Sequence, residues 1–180
     1  LEEWNNSLAG GRCEGLATLS TRFLLKLEDP TTFNPTATRV ADLQRGNQLL
    51  DSTIVYWWAT QFLTEVSDRA ATSRAKSPLQ LVDDLIQGLA NGVGYTVGLY
   101  FGSSGHAVTP FAVTHRGNDF IIHVYDNNFP GVRKEIIVNG TTNSWTYAAA
   151  RAQPDGSNLD WAGAIGTLEL TPMSSRKGPF

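Results

Sequence analysis

The stretch HAVTPFAVTHRGNDFIIHVYD, residues 106–126, decides the fold class because it contains two β-strand patterns joined by a turn. Both halves are rich in β-branched and aromatic residues, which favour strands, and the HRGND segment between them is typical of a hairpin. Further strand patterns lie on both sides of this hairpin. They are YTVGLYF, KEIIVNG, SWTYAAA and GTLELTP. The sequence therefore predicts an antiparallel β part over about residues 93–172.

The preceding part of the chain, about residues 14–91, has apolar residues spaced by three and four, as in amphipathic helices. We predict a first helix that starts at Glu14 and is stopped by Pro30. A second helix is predicted through residues 37–50. The helical part is thus expected to hold several short helices separated by loops.

Two more helices complete the helical part. The third is predicted to begin near Asp51 or Ser52, both good N-caps. Its apolar side comprises Val55, Trp58, Phe62 and Val66. The fourth, KSPLQLVDDLIQGLANG, has Ser77 as its N-cap, Pro78 in its first turn and Asn-Gly at its end. Helices followed by an antiparallel meander predict the α+β class.

Composition and charge exclude several function classes. The chain has 180 residues, 41% of them hydrophobic, which suits one globular domain with a substantial core. A net charge of −3 argues against a nucleic-acid partner, because phosphate binding needs a basic face. No apolar run is long enough for a membrane span. One cysteine excludes an internal disulfide and a cysteine-rich zinc site, and we expect no metal and no cofactor.

The ends of the sequence predict a module of a larger protein. The chain begins with Leu1 and has no signal-peptide pattern, so we expect a single domain, residues 1–180, excised from a parent with neighbouring domains. Residues 173–180, which contain the basic pair Arg176-Lys177, are predicted to be a tail or linker. The short polar strands favour a secreted or cell-surface protein of bacterial origin.

Cys13 is the first candidate for chemistry. It follows a glycine pair and immediately precedes the first helical pattern, where free N–H groups and the helix dipole stabilise a thiolate. The alternative interpretation is a small buried apolar residue, which is the common role of free cysteine. The sequence of this segment alone leaves both interpretations open.

His106 and Asp126 are the second and third candidates. His106 follows the loop GSSG and opens its strand, whereas His115 lies at the turn and His123 lies within a strand. Because the two strands of the hairpin are antiparallel, their outer ends meet at one edge of the sheet. Asp126 therefore comes close to His106 and is predicted to orient the imidazole; Asn127 is the alternative if the opposite face holds the cleft. Thiol, base and orienter together are what nucleophilic catalysis requires.

These segments resemble the papain-like cysteine peptidase superfamily in its broad sense. GRCEGLATLS is similar to the nucleophile helix of that superfamily, and GHAVTPFAVTHRGNDFIIHVYDNNFPG is similar to its histidine strand, hairpin and orienting strand. LVDDLIQGLANGVGYTVGLYFGSSGHAV also resembles the segment before the histidine in C39-type bacteriocin-processing peptidases. The resemblance covers about the first thirty residues and the region 80–131.

The resemblance implies a papain-like fold with Cys13 as nucleophile, His106 as general base and acid, and Asp126 as orienter. It also implies an oxyanion site formed by the Cys13 N–H and an upstream side-chain amide. The usual glutamine is missing here, and Asn6, seven residues before Cys13, is the nearest substitute. Glu14, directly after Cys13, departs from the family's pattern as well. Its charge either opposes a thiolate on Cys13 or, at the helix N-terminus, stabilises the helix.

The expected function is a cysteine peptidase or a related thiol acyl-transfer enzyme acting on a peptide or protein substrate. Transglutaminase-like cross-linking enzymes share the order of the three residues, but their cysteine and histidine are typically closer than the 93 positions that separate Cys13 from His106. A different class of function is a catalytically silent papain-like module that binds peptides or mediates an interaction. The missing glutamine and Glu14 favour the silent module, whereas the three candidate residues favour the enzyme.

Overall fold

The chain forms a group of helices followed by an antiparallel sheet in the computed structural model, which describes residues 11–44, 46–152 and 158–176. Within these residues the helices are α1 (Cys13–Leu24), α2 (Gln48–Ala59), α3 (Thr64–Arg74) and α4 (Pro78–Ala90). The strands are β1 (Tyr95–Phe101), β2 (Ser104–Arg116), β3 (Asp119–Tyr125), β4 (Lys134–Asn139), β5 (Ser144–Ala152), β6 (Asn158–Gly163) and β7 (Leu168–Pro172). The predicted α+β class is confirmed.

The seven strands form one curled antiparallel sheet in the order β6-β5-β4-β3-β2-β1-β7. The predicted hairpin is present, with Arg116 paired to Asp119 across a turn in which Gly117 has a φ of 61°. The curl brings β1 near β6, where Phe101 stacks on Trp161 with their ring centroids 6.0 Å apart. In this order β1 to β6 pair with their neighbours in sequence, whereas β7 pairs with β1 on the side opposite β2.

Two apolar clusters hold the layers together. The larger cluster lies between α4 and the sheet, and the smaller one joins α1 to α2. The smaller cluster contains Leu19, Phe33, Leu50, Ile54 and Trp57. Polar side chains fix α1 on the sheet as well, because Thr109 Oγ1 donates to the carbonyl oxygen of Ala17 at 2.9 Å. The helix that begins at Cys13 is thus anchored on both of its sides.

The fourth predicted helix is confirmed at both ends. Ser77 and Gln80 form a capping box, Pro78 occupies the first position, and Asn91 follows the last helical residue. The first helix begins at Cys13, one residue before the predicted start at Glu14, and it ends at Leu24, before the predicted stop at Pro30. Lys26 has a φ of 56°, which is incompatible with a continuing helix.

The second and third helices were predicted wrongly. Before α2 begins, the described residues from 37 onwards form the 3₁₀ turn Val40–Asp42 instead of a helix, since the Asp42 carboxylate accepts the backbone N–H groups of Thr38 and Arg39 and stabilises a local turn. The next helix begins at Gln48, capped by Asn47, rather than at Asp51 or Ser52.

That helix also ends earlier than predicted. A 3₁₀ turn, Thr60–Phe62, separates α2 from α3, and Leu63 is extended. Val66 therefore lies on α3, not on the same helix as Trp58, and Phe62 is exposed. The Thr60 hydroxyl donates to the carbonyl oxygen of Trp57 at 2.6 Å and takes part in closing the helix.

The C-terminal boundary and one strand also differ from prediction. Residues 173–176 do not form a tail: Met173–Ser175 is a 3₁₀ turn and Arg176 is buried, because its guanidinium reaches polar groups between the helices and the sheet. Strand β6 was missed, since its sequence NLDWAG has little of the β-branched character that marks the other strands.

Two findings concern membrane-spanning helices and metal sites. Among the described residues, every helix is too short or too polar to span a bilayer. The same part of the chain contains no cluster of three or more histidine, cysteine or acidic side chains placed to hold a metal ion.

Gly15 provides a test of how α1 packs on α2. A Cβ atom at this position would lie 2.1 Å from the carbonyl oxygen of Ile54 and 2.9 Å from Trp58. We expect Gly15→Ala to lower the free energy of unfolding by roughly 1–3 kcal/mol through overpacking, although alanine alone favours a helix by about 1 kcal/mol. Urea unfolding followed by circular dichroism measures this, and an unchanged or raised stability would contradict the close approach of the two helices.

Candidate active site

Cys13 is the first residue of α1 and is half-buried. The preceding Gly11 has a φ of 118°, a backbone conformation that glycine adopts without strain. Arg12 occupies the N-cap position and provides no side-chain cap, so no side chain from that position satisfies the first-turn N–H groups. The Cys13 sulfur therefore lies at the positive end of the helix dipole, where negative charge is stabilised.

His106 and Asp126 meet at the edge where β2 begins and β3 has just ended. His106 Nε2 lies 3.0 Å from Asp126 Oδ1, and both side chains are buried. The antiparallel pairing of Thr109 with Tyr125 produces this proximity, since it places the two strand ends side by side. Asn127, the alternative orienter, instead donates from Nδ2 to Asn128. The structure thus brings together the histidine and the carboxylate that the sequence singled out.

Asp126 is completely buried and accepts three hydrogen bonds. Besides the bond with His106, Oδ2 accepts the Tyr147 hydroxyl at 2.6 Å and Oδ1 accepts the Asn128 backbone N–H at 2.8 Å. Burial raises the pKa of this carboxyl, but the bonds and charge of His106 together with the other two donors outweigh burial and lower the pKa below its ordinary value. Asp126 is therefore ionised at neutral pH.

The imidazole of His106 is correspondingly held in its charged form. Burial of the ring lowers its pKa, but hydrogen bonds with Asp126 and the Cys13 thiol, and the charges of both groups, raise the pKa to about 9. Because Nε2 is engaged by Asp126, Nδ1 is the ring nitrogen that remains for the thiol. Cys13, His106 and Asp126 therefore form one connected chain of polar groups.

Cys13 and His106 line the same cavity, which has a volume of about 260 Å³. Its other walls come from the N-terminus of α1, the end of α2 and strands β1 and β2. The lining residues are Gly11, Cys13, Glu14, Trp58, Gln61, Phe62, Gly98, Tyr100, Gly105, His106 and Ala107. A larger groove of about 490 Å³ lies elsewhere and contains none of the three candidate residues. The smaller cavity is therefore the one in which a substrate carbonyl can meet the thiol.

Gln61 is an amide side chain in this cavity that sequence reasoning missed. Its Nε2 donates to the carbonyl oxygen of Trp58 at 2.9 Å, which fixes the amide at the end of α2. An NH₂ group has a second hydrogen to donate. Asn6, the predicted oxyanion donor, lies outside the described residues. Gln61 is thus the side-chain amide among the described residues that line this cavity, where the resemblance predicts an oxyanion donor.

Glu14 is paired rather than isolated. Its carboxylate accepts the Thr96 hydroxyl at 2.9 Å and forms an ion pair with the guanidinium of Arg176. The sequence does not identify either partner, because Arg176 lies in the predicted tail and Thr96 lies in a strand with no feature that sets it apart. The charge beside Cys13 is therefore matched by a cation within the fold.

The other two histidines lie away from the site. His115 is exposed at the hairpin and packs against Phe120, with ring centroids 4.3 Å apart. His123 is buried in β3, where its Nε2 lies 2.8 Å from the Thr114 hydroxyl. Tyr147, by contrast, belongs to the site, because its hydroxyl donates to Asp126. No local pattern marks this residue, since its contact with Asp126 depends on how β5 pairs with β4 and β4 with β3.

Comparison of the chain with protein-family models, with curated proteins and with solved structures finds no match. The geometry of the site is therefore the basis for assigning a function.

The titration of His106 is the direct test of this geometry. Its folded pKa of about 9 lies above the ordinary 6.5, so the bound proton stabilises the fold fully below pH 6.5, and this stabilisation is lost as the pH rises through about 9. We expect the ring resonances of His106 in NMR spectra to titrate near pH 9. In Asp126→Asn the midpoint should fall, because the carboxylate no longer stabilises the imidazolium.

His106→Ala assigns the resonance by its disappearance. A wild-type midpoint near 6.5, or an unchanged midpoint in Asp126→Asn, would contradict the described contact between the imidazole and the carboxylate.

Proposed function

We propose that this chain is a papain-like thiol enzyme, a cysteine peptidase or a related acyl-transfer enzyme that acts on a peptide or protein substrate. The observation that carries the proposal is that Cys13, at a helix N-terminus, shares a cavity with His106, which is bonded to the buried Asp126. Nucleophile, base and orienter on three different elements are the arrangement that thiol catalysis needs. The cysteine-bearing helix on an antiparallel sheet supports the papain-like interpretation of the fold.

In the proposed reaction, the proton of the Cys13 thiol resides on His106 Nδ1, so that an imidazolium faces a thiolate, and the sulfur attacks the substrate carbonyl carbon. The imidazolium then donates that proton to the leaving amine, the carbon–nitrogen bond breaks, and a thioester remains on Cys13. Asp126 keeps the imidazole oriented and stabilises its positive charge throughout. Water or a second amine resolves the thioester, which gives hydrolysis or transpeptidation respectively.

The negative charge that develops on the carbonyl oxygen needs donors. The Cys13 backbone N–H is one, and we propose a side-chain amide as the second. Asn6 is the candidate from the sequence, and Gln61 is the candidate that lines the cavity. Preorganised donors of this kind contribute about 10²–10³ in rate.

The wider expectations from the sequence stay predictions. They are an origin as one domain of a larger bacterial protein, a secreted or cell-surface location, and a peptide or protein as the partner. The transglutaminase-like alternative differs only in the acceptor, since an amine substrate would take the place of water. The silent-module alternative requires that the Cys13 thiol react like an ordinary thiol.

Alkylation of Cys13 distinguishes the enzyme from the silent module. We expect iodoacetamide near neutral pH, followed by mass spectrometry, to label Cys13 much faster than free glutathione. In His106→Ala the rate should fall by about 10² or more, the lower end of what acid–base partners contribute. His115→Ala, which removes an exposed histidine at the hairpin, serves as the matched control and should leave the rate unchanged. Labelling of the folded wild type no faster than glutathione would favour the silent module.

The oxyanion donor is tested by acyl transfer to Cys13 from p-nitrophenyl acetate, which releases coloured p-nitrophenolate. Loss of the second donor should slow this release by about 10²–10³. Asn6→Ala and Gln61→Ala measured in parallel assign the role to the residue whose loss has this effect. If neither variant slows acylation while both still alkylate normally at Cys13, neither Asn6 nor Gln61 is the second donor.

A further inference from the structure

Glu14 places a carboxylate on the residue that directly follows the nucleophile. Its side chain is only 15% exposed, so solvent screens its charge poorly. An unmatched carboxylate there would repel a thiolate on Cys13 and the oxyanion that forms after attack. The fold therefore needs a compensating cation at this position if Cys13 is to react.

Arg176 is that cation, and it is almost completely buried, with 1% of its side chain exposed. Nη2 donates to Glu14 and also lies 3.4 Å from the Thr96 hydroxyl, while Nη1 donates to the Thr60 hydroxyl at 2.6 Å. A single guanidinium thus connects α1, the end of α2 and β1 to the segment after β7. Its Nε is buried and has no hydrogen-bond partner among the described residues. Burying an unpaired N–H costs free energy that an arginine at the surface would not lose.

We propose that Arg176 is a positioning residue of the Cys13 site, which holds the Glu14 carboxylate and matches its charge so that a thiolate can form beside it. The inference rests on the proposed thiol reactivity of Cys13, and it makes Arg176 part of the same site. Arg176 does not touch the substrate carbonyl in this proposal; it acts through Glu14. In this proposal residues 173–176 serve the site and do not act as a linker.

The other charged groups around the site are paired among themselves. On the strand side of the cavity, the Tyr100 hydroxyl donates to Glu169 at 2.9 Å, and Arg74 forms an ion pair with the same carboxylate. On the opposite side, His106 is bonded to Asp126. Removal of Arg176 therefore leaves Glu14 as the carboxylate whose pairing changes.

The test is the rate of Cys13 alkylation by iodoacetamide between pH 5 and pH 10. In Arg176→Met, which keeps the length of the apolar stem, we expect the pH midpoint of alkylation to rise by about one unit and the rate at neutral pH to fall about tenfold. Arg176→Lys, which keeps the charge, should retain most of the wild-type rate. In the double variant Glu14→Gln/Arg176→Met both charges are absent, and the wild-type profile should return.

Arg22→Met is the matched control, because Arg22 forms a similar ion pair with Glu28 at the other end of α1, 2.8 Å long. Its alkylation profile should equal that of the wild type. Thermal melting of every variant separates loss of fold from loss of reactivity, and the double variant keeps the test decisive if Arg176→Met alone does not fold.

Two outcomes would overturn the inference alone. One is a folded Arg176→Met protein with the wild-type profile, and the other is a folded double variant as slow as Arg176→Met, which would make Arg176 a structural clamp without an electrostatic role. A wild-type thiol no faster than glutathione would instead overturn the proposed function, and this inference with it.

Discussion

The buried carboxylate of Asp126 is the constraint on which the rest of the site depends. An unpaired charge in a protein interior costs several kcal/mol, so the fold must supply partners for it. It does so from β2 through His106, from β5 through Tyr147, and from the turn after β3 through a backbone N–H. These bonds require the strands to be in the observed register, because a slip of one residue would turn Tyr147 to the other face. The same bonds that satisfy the carboxylate therefore orient the imidazole.

The second requirement is that the helix bearing Cys13 stay fixed relative to this sheet edge. Two features of α1 achieve it: Gly15 allows close contact with α2, and the carbonyl oxygen of Ala17 accepts the Thr109 hydroxyl from β2. Thr109 lies three residues after His106 on the same strand. The distance between the thiol and the imidazole is therefore set by a short, buried connection rather than by a loop, as preorganised catalysis requires.

Local signals explain what could be predicted from the sequence. The capping box at Ser77 and the hairpin turn at Gly117 act within a few residues, and the hairpin alone places His106 beside Asp126. Features that depend on distant partners could not be read in the same way. Tyr147 reaches Asp126 only through the pairing of β3, β4 and β5, and Arg176 is buried only because Glu14 and two threonines surround it. The wrong helix boundaries arose where side chains bond to the nearby backbone, as at Asp42.

The two carboxylates near Cys13 have partners of different kinds, and this difference matters for the proposed catalysis. Asp126 is paired with His106, a group that exchanges protons, so its charge stabilises an imidazolium. Glu14 is paired with the guanidinium of Arg176 rather than with an imidazole, so a cation outside the proton-transfer chain matches this charge. The four groups sum to no net charge when His106 is protonated. A negative charge on the Cys13 sulfur then has the helix N-terminus and the imidazolium as its nearest favourable partners, which are the two groups that a thiol nucleophile requires.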